Sequence, residues 1–183
     1  MRLTEIAHQK ILCYCPNPKL AVDATIGNGH DTQFLQKILS PNGKLWGFDV
    51  QTQAITVTRQ KLSKDPRIYL IKDSHARLSH YLEKYQGEVD LIVYNLGYLP
   101  HGDKKITTLK KSTLDSIIQA IRLLRKGGVI SILVYPRHPQ GKEEAEAIKQ
   151  FVTTQRIETI DFSPSPEISS SKGIPFLCLG IKQ

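Results

Sequence analysis

A chain of 183 residues has room for one domain with a full core and for no second one. Hydrophobic content of 40% and charged content of 23% are ordinary for a soluble globular protein, and no apolar run approaches the roughly 20 residues that span a bilayer. The formal net charge of +8 favours a polyanionic partner, and for a single small domain nucleic acid is the commonest one.

The first eight residues, Met1 to His8, carry charges where a signal peptide would need its apolar stretch, so a cytoplasmic protein is expected. Residues 3 to 15 place Leu3, Ile6, Ala7, Ile11 and Leu12 on one side of a predicted helix that Pro16 and Pro18 end. This helix is expected to cover an edge of the sheet. Cys13, Cys15 and Cys178 lack zinc-site spacing and read as reduced, structural thiols, with no metal site expected.

Leu20 to Ala24 is short and apolar, as a buried parallel strand would be, and runs into a turn carrying Gly27 and Gly29 before a helical pattern begins at Thr32. In such a unit the glycines let a ligand approach the main chain, and the N–H groups opening the helix point at whatever sits above the strand. That reads as a nucleotide-type cofactor site, with a plain turn that binds no ligand as the alternative, since a lone G-x-G is a weak signal. A dinucleotide fold wants a third glycine where this chain has Thr32. Asp23 and Asn28 suit an amino-acid-bearing cofactor better than a diphosphate, which favours S-adenosylmethionine (SAM) over NAD.

Phe34, Leu35, Ile38 and Leu39 face the core from the next helix, which Pro41-Asn42-Gly43 stops. Lys44 to Asp49 is the second strand. It ends in an acid about 20 residues beyond the glycine turn, where a carboxylate can accept from both ribose hydroxyls of an adenosine. Gln51 opens a helix with Ala54, Ile55, Val57 and Leu62. Arg67 to Ile71 is a third strand, and Asp73 just past it is placed to take the amino hydrogens of an adenine. Residues 75 to 85 read as a helix ended by Gly87, and Val89 to Tyr94 as a central strand covered on both faces. Ser112 to Leu124 is the next helix, capped by Lys126-Gly127-Gly128, and Val129 to Tyr135 is the fifth strand. A helix over Glu143 to Thr153 precedes two last strands, Ile157 to Phe162 and Phe176 to Ile181, joined by a breaker-rich loop over 163 to 173.

This order predicts the α/β class: one domain over 1–183, with residues 1–18 as a helix and linker, and an open doubly wound sheet of seven strands. The sheet is expected to be mostly parallel, with an antiparallel edge.

Beyond the fourth strand lies Asn95-Leu-Gly-Tyr-Leu-Pro-His-Gly-Asp-Lys104. A strand end beside the cofactor strand is the switch region where α/β ligands bind, so its polar groups can face the cofactor's methyl. Methyl transfer is an in-line displacement that depends on aligning the acceptor and keeping its lone pair free. Asn95 can hold an amine through its amide oxygen, Tyr98 can pack on a base or orient the amine, and Asp103 or His101 can receive a proton. Lys104, Lys105, Lys110, Lys111 and Arg137 are candidates for phosphate contacts.

Four segments carry a resemblance to a known family: residues 22 to 32, Gly47-Phe-Asp-Val-Gln51, Asn95 to Lys104, and Tyr135-Pro-Arg-His-Pro-Gln-Gly141. They resemble the SAM-dependent tRNA wobble-uridine methyltransferases of the MnmM (YtqB-like) type, long labelled rRNA methylases. The resemblance implies a Rossmann-like class I methyltransferase domain and a homodimer. It also implies methylation of the 5-aminomethyl group of the first anticodon uridine, often on a 2-thiouridine, within a tRNA anticodon stem-loop. Carried over by position, it puts Asn28, Gly29, Asp31, Asp49, Gln51, Ser74 and His75 around SAM. It puts Asn95, Gly97 and Tyr98 at the reacting centre, and His138 and Gly141 on the substrate side. Arg137 departs from the small residue that such proteins carry before this histidine, and its guanidinium suits a phosphate.

Three other readings are open to the sequence. One is methylation of another nucleic-acid or protein amine. Another is a non-catalytic RNA-binding protein with a relict pocket, against which the three polar strand ends Asp49, Asp73 and Asn95 argue. The third is an NAD oxidoreductase, disfavoured by Thr32.

Overall fold

Strands whose residues are buried on both faces form the middle of the sheet, and the chain places them by alternating with helices. The computed structural model describes all residues except Met1, Ser63, 98–106, 137–138, 155–159 and 165–172. In chain order the elements are α1 (Leu3–Tyr14), β1 (Leu20–Asp23), α2 (His30–Ile38), β2 (Lys44–Phe48), α3 (Thr52–Lys61) and β3 (Ile68–Ile71). There follow α4 (Leu78–Leu82), β4 (Val89–Asn95), α5 (Lys110–Leu123), β5 (Leu124–Val134), α6 (Pro139–Thr154), β6 (Ile160–Pro164) and β7 (Phe176–Lys182).

The strands lie in the order β3-β2-β1-β4-β5-β7-β6. The first five are mutually parallel, and β7 runs antiparallel to both β5 and β6, so the expected antiparallel edge is present. The chain moves outward from β1 to β3 and then returns to β4 on the other side of β1. A crevice therefore opens between the carboxyl ends of β1 and β4, where helices leave in opposite directions.

Alternation along β4 divides the core. Leu91 and Val93 pack with Ala21, Leu35 and Ile11 on one face, under α1 and α2. Ile92 and Tyr94 pack with Ile117, Ala120, Ile148 and Phe151 on the other, under α5 and α6. Nearly every residue of β1 and β4 is buried, which is why both read as near-continuous apolar runs, interrupted in β4 by Asp90.

Three sequence expectations are corrected. Helix α1 does not cover an edge. Its Ile11 packs with Val129 and Leu179, and its Ala7 with Leu133 and Leu177, so it lies over the interior strands β5 and β7. Gly127 and Gly128 do not cap α5. The helix ends at Leu123 and the glycines lie within β5, whose pairing with β4 jumps from Val89↔Leu124 to Leu91↔Val129. Gly127 has φ 71°, and a Cβ on Gly128 would come within 2.9 Å of the Val89 and Arg125 carbonyl oxygens. A glycine pair after an amphipathic helix resembles a cap, but here it permits a bulge. Residues 75 to 85 are not one helix: 3₁₀ turns at His75–Arg77 and Glu83–Tyr85 flank the five-residue α4.

Candidate active site

A crevice of about 430 Å³ occupies the switch point. Its walls are the turn after β1 (Ala24 to Asn28, with His30 and Asp31), the end of β2 (Phe48 to Gln51), the segment after β3 (Asp73 to His75), and Asn95, Gly97 and Thr107 to Leu109.

The glycine turn is tied down from three directions. Gly27 N donates to Asp49 Oδ2 at 2.9 Å, Ile26 N to the Phe48 carbonyl at 3.0 Å, and Lys61 Nζ to the Asn28 carbonyl at 2.7 Å. Asp49 Oδ1 also accepts from Gln51 N at 2.8 Å. Burial raises the Asp49 carboxyl above its usual range, and the backbone donors oppose that rise. The carboxylate thus joins the turn to β2 while lining the crevice, as the position of Asp49 at a strand end predicts.

Asp23 and Thr32 lie beneath the crevice instead of in its wall. Asp23 is fully buried, with Thr32 Oγ1 donating to it at 2.6 Å and Thr25 N at 3.1 Å. Burial, reinforced by the Asp31 carboxylate, pushes Asp23 well above the ordinary range. A buried carboxyl needs donors, and a threonine supplies one where a dinucleotide site would have glycine. Gly29, also absent from the wall, has φ 76° and begins α2.

At the β4 end, Asn95 is held at two atoms. Its backbone N donates to Thr25 Oγ1 at 2.6 Å and its Nδ2 to Asp31 Oδ2 at 3.1 Å. No described residue donates to its Oδ1, the acceptor that the sequence reading assigns to an amine. Asp31 Oδ1 lies 2.7 Å from His8 Nε2. Gly97 is fixed by Thr108: Gly97 N donates to Thr108 Oγ1 at 3.0 Å and Thr108 N to the Gly97 carbonyl at 3.1 Å. The Thr108 hydroxyl donates in turn to Glu144 Oε2 at 2.7 Å, and Thr113 Oγ1 to Glu144 Oε1 at 2.6 Å. Glu144 is 1% exposed, so the clasp that joins Gly97 to Thr108 at the crevice wall is anchored in the core by this carboxylate.

After β3, the Asp73 carboxylate is already engaged by Ser74 N, Arg77 Nη1 and Tyr81 OH, and the Tyr81 hydrogen bond chiefly holds it below the usual range. Ser74 Oγ accepts from Ala76 N and starts the 3₁₀ turn. His75 is 9% exposed, edge-on to Tyr94, with no described partner at Nδ1, and burial pushes its pKa down to about 4. The folded chain therefore keeps this ring neutral. The stability so gained is full above the unfolded value near 6.5 and is lost as pH falls through about 4, on the order of 3 kcal/mol in all. Urea unfolding of wild type and His75→Phe at several pH values checks this: the variant should lose less stability between pH 6.5 and 4. Equal losses would remove His75 as the cause.

Among the remaining predicted residues, Gly141 is buried in the first turn of α6, and Lys110 and Lys111 are exposed at the start of α5. Tyr98, His101, Asp103, Lys104, Lys105, Arg137 and His138 lie outside the described residues. Sequence reasoning missed His8, Thr25, Thr108 and Glu144. For Glu144 a signal existed: it shares the helical phase of Gly141, Ile148 and Phe151, so a carboxylate stands at a core position of α6. A lone His8 on a short helix carried none.

All three cysteines are free, with Cys15 and Cys178 buried and pushed up to about 11 and about 12. Among the described residues there is no group of three or more metal-ligating side chains and no helix long and apolar enough to cross a membrane.

Residues 45–179 match the model of a family described as "Putative rRNA methylase". The chain is 34% identical over 161 residues to the chloroplastic tRNA (mnm(5)s(2)U34)-methyltransferase of Arabidopsis thaliana, a match that covers 82% of this chain. It spans 58% of that relative's length. Among solved structures, a protein from Clostridium thermocellum described as "putative rRNA-methylase" superposes with a TM-score of 0.91 at 32% identity, covering 100% of this chain and 98% of that one. A protein from Streptococcus mutans described as "a putative methyltransferase", solved in complex with SAH, superposes with a TM-score of 0.85 at 30% identity, covering 100% and 99%.

Proposed function

Because the chain belongs to this rRNA-methylase family, the one its four sequence segments resemble, we propose that it transfers a methyl group from SAM to RNA. The acceptor we assign is the 5-aminomethyl group of the tRNA wobble uridine, giving the 5-methylaminomethyl product. The Arabidopsis relative's name supports that choice, as does a net charge of +8 suited to a polyanion. The observation that carries the reading is the β4 end: an asparagine held by its NH₂ group to a carboxylate, with an amide oxygen to which no described residue donates.

The crevice fits the cofactor. Its glycine turn offers close main-chain approach, and Asp49 lines it beside Phe48 and Val50, an acceptor for hydroxyls next to apolar surface for a ring. A sulfonium-bound methyl is the electrophile that SAM supplies when bound. Asp49 holds the ribose, and the 73–75 segment encloses the adenine. His75, neutral, adds a polar edge there without a charge. Asn95 accepts from the acceptor amine and aims its lone pair, Tyr98 packs on the base or orients the amine, and Asp103 or His101 takes the amine's surplus proton. Lys104, Lys105, Arg137 and His138 meet the RNA, and two copies of the chain form the working assembly.

Purified protein incubated with SAM and an anticodon stem-loop bearing 5-aminomethyl-2-thiouridine should yield the methylated nucleoside by mass spectrometry. An unmodified stem-loop and an rRNA fragment should not react. Methylation of the rRNA fragment alone would replace the tRNA reading with another RNA amine, and no methylation of any arm would sink both. For the cofactor, Asp49→Ala should weaken SAM binding by roughly 1.5–3 kcal/mol, the range for hydrogen bonds to a charged group. Calorimetry showing unchanged affinity would remove Asp49 from the ribose.

A further inference from the structure

The helix outside the doubly wound core reaches the acceptor site through one side chain. His8 stands on α1 between Ala7 and Ile11, both buried against the sheet, so its backbone is carried by the core. Its ring stacks on Phe34 of α2, with centroids 3.8 Å apart and planes within 5°. Its Nε2 meets Asp31 Oδ1 at 2.7 Å. Asp31 and Phe34 are three residues apart on α2 and share a face, so one imidazole engages both.

An ionised carboxylate only accepts hydrogen bonds, so His8 Nε2 is the donor, and Asp31 holds a donor at each oxygen: His8 at Oδ1 and Asn95 Nδ2 at Oδ2. With both oxygens engaged, the carboxylate plane is set. Turning the Asn95 amide over would aim its oxygen at Asp31, two acceptors facing each other. The amide orientation thus depends on Asp31, and the rotamer of Asp31 depends on His8. The His8 and Asp31 side chains are 26% and 12% exposed, which limits competition from water.

We propose that His8 is a positioning residue for methyl transfer: acting through Asp31, it keeps the amide oxygen of Asn95 turned toward the acceptor amine. This rests on the reading of Asn95 as the group that holds the amine.

Two substitutions separate this role from simple packing. His8→Phe keeps the ring on Phe34 and removes the donor. His8→Gln loses the ring and puts an amide N–H close to the place of Nε2. At saturating SAM, His8→Phe should lower the single-turnover rate on the aminomethyl-bearing stem-loop about tenfold or more, as misplacement of an aligning group does, with SAM affinity within about threefold of wild type. His8→Gln should recover most of the rate. The side-chain amide resonances of Asn95, followed by NMR without RNA, should shift in His8→Phe and stay near wild type in His8→Gln. A wild-type rate in His8→Phe, or equal losses in both variants, overturns the inference. If wild type itself does not methylate the stem-loop, the substrate reading fails alone. The NMR comparison then decides, and an unshifted Asn95 amide in His8→Phe overturns the role of His8.

Discussion

Asn95→Ala should bind SAM with nearly unchanged affinity and lose about 10²-fold or more in the rate of methyl transfer. Asn95 is anchored through its backbone N to Thr25 and through Nδ2 to Asp31, and its side-chain oxygen, to which no described residue donates, lies in the crevice wall. In-line displacement is sensitive to the placement of the attacking nitrogen, and misplacement by about 1 Å costs on the order of 10² in rate. The alanine variant removes the amide oxygen assigned to aim that nitrogen. Asn95→Asp is an informative companion. It keeps an acceptor oxygen at the same reach but sets a second carboxyl against Asp31, so one of the pair must protonate or turn away. It should therefore also be slow. Single-turnover rates with calorimetry on each variant test this, and an Asn95→Ala rate within about threefold of wild type would remove Asn95 from the reacting centre.

The second large effect is on folding. Gly29→Ala should destabilise the protein by about 2–5 kcal/mol, from two separable causes. An L-residue at φ 76° costs about 1–2 kcal/mol. A Cβ there would come within 2.4 Å of Thr58 Oγ1, a fully buried side chain of α3, and such overpacking costs about 1–3 kcal/mol. In a Thr58→Ala background the second cost should shrink, with only the residue 58 Cβ left at 3.0 Å, while the first remains. The background change itself breaks no hydrogen bond to a described residue, since Thr58 Oγ1 has no such partner. Urea unfolding of the two single variants and the double variant gives the coupling directly. Additive losses would mean that α3 does not press on the turn. The same crowding explains a glycine at this position without reference to a ligand, because the turn is squeezed between the crevice and α3.

Much of the site was legible because its signals are local. The glycine turn, the acid ending β2 and the asparagine ending β4 each follow a run whose burial and period identify it as a strand. Where such runs stop, side chains project above the sheet, so Asp49 and Asn95 could be placed from the order of elements. The same reasoning failed at Asp23 and Thr32. A carboxyl inside the strand end suggested a ligand contact, but the strand's last pleat turns it under the turn, where the threonine hydroxyl satisfies it. It failed again at Gly127 and Gly128, because glycines after a helix and glycines in a bulge have the same local sequence. Only the shifted pairing with β4 tells them apart.

By itself, the sequence determined the α/β class, the seven strands and their alternation with helices. It also determined which strand ends carry polar groups, since each of these depends on residues a few positions apart. The tertiary structure decided which of those groups meet. His8 and Asp31 are 23 positions apart, Asp31 and Asn95 64, and Thr108 and Glu144 36. No periodicity relates such pairs. They touch because α1 lies across β5 and β7 instead of at an edge, and because α6 packs with α5 on the opposite face, so docking of whole elements on the sheet sets the direction of each side chain.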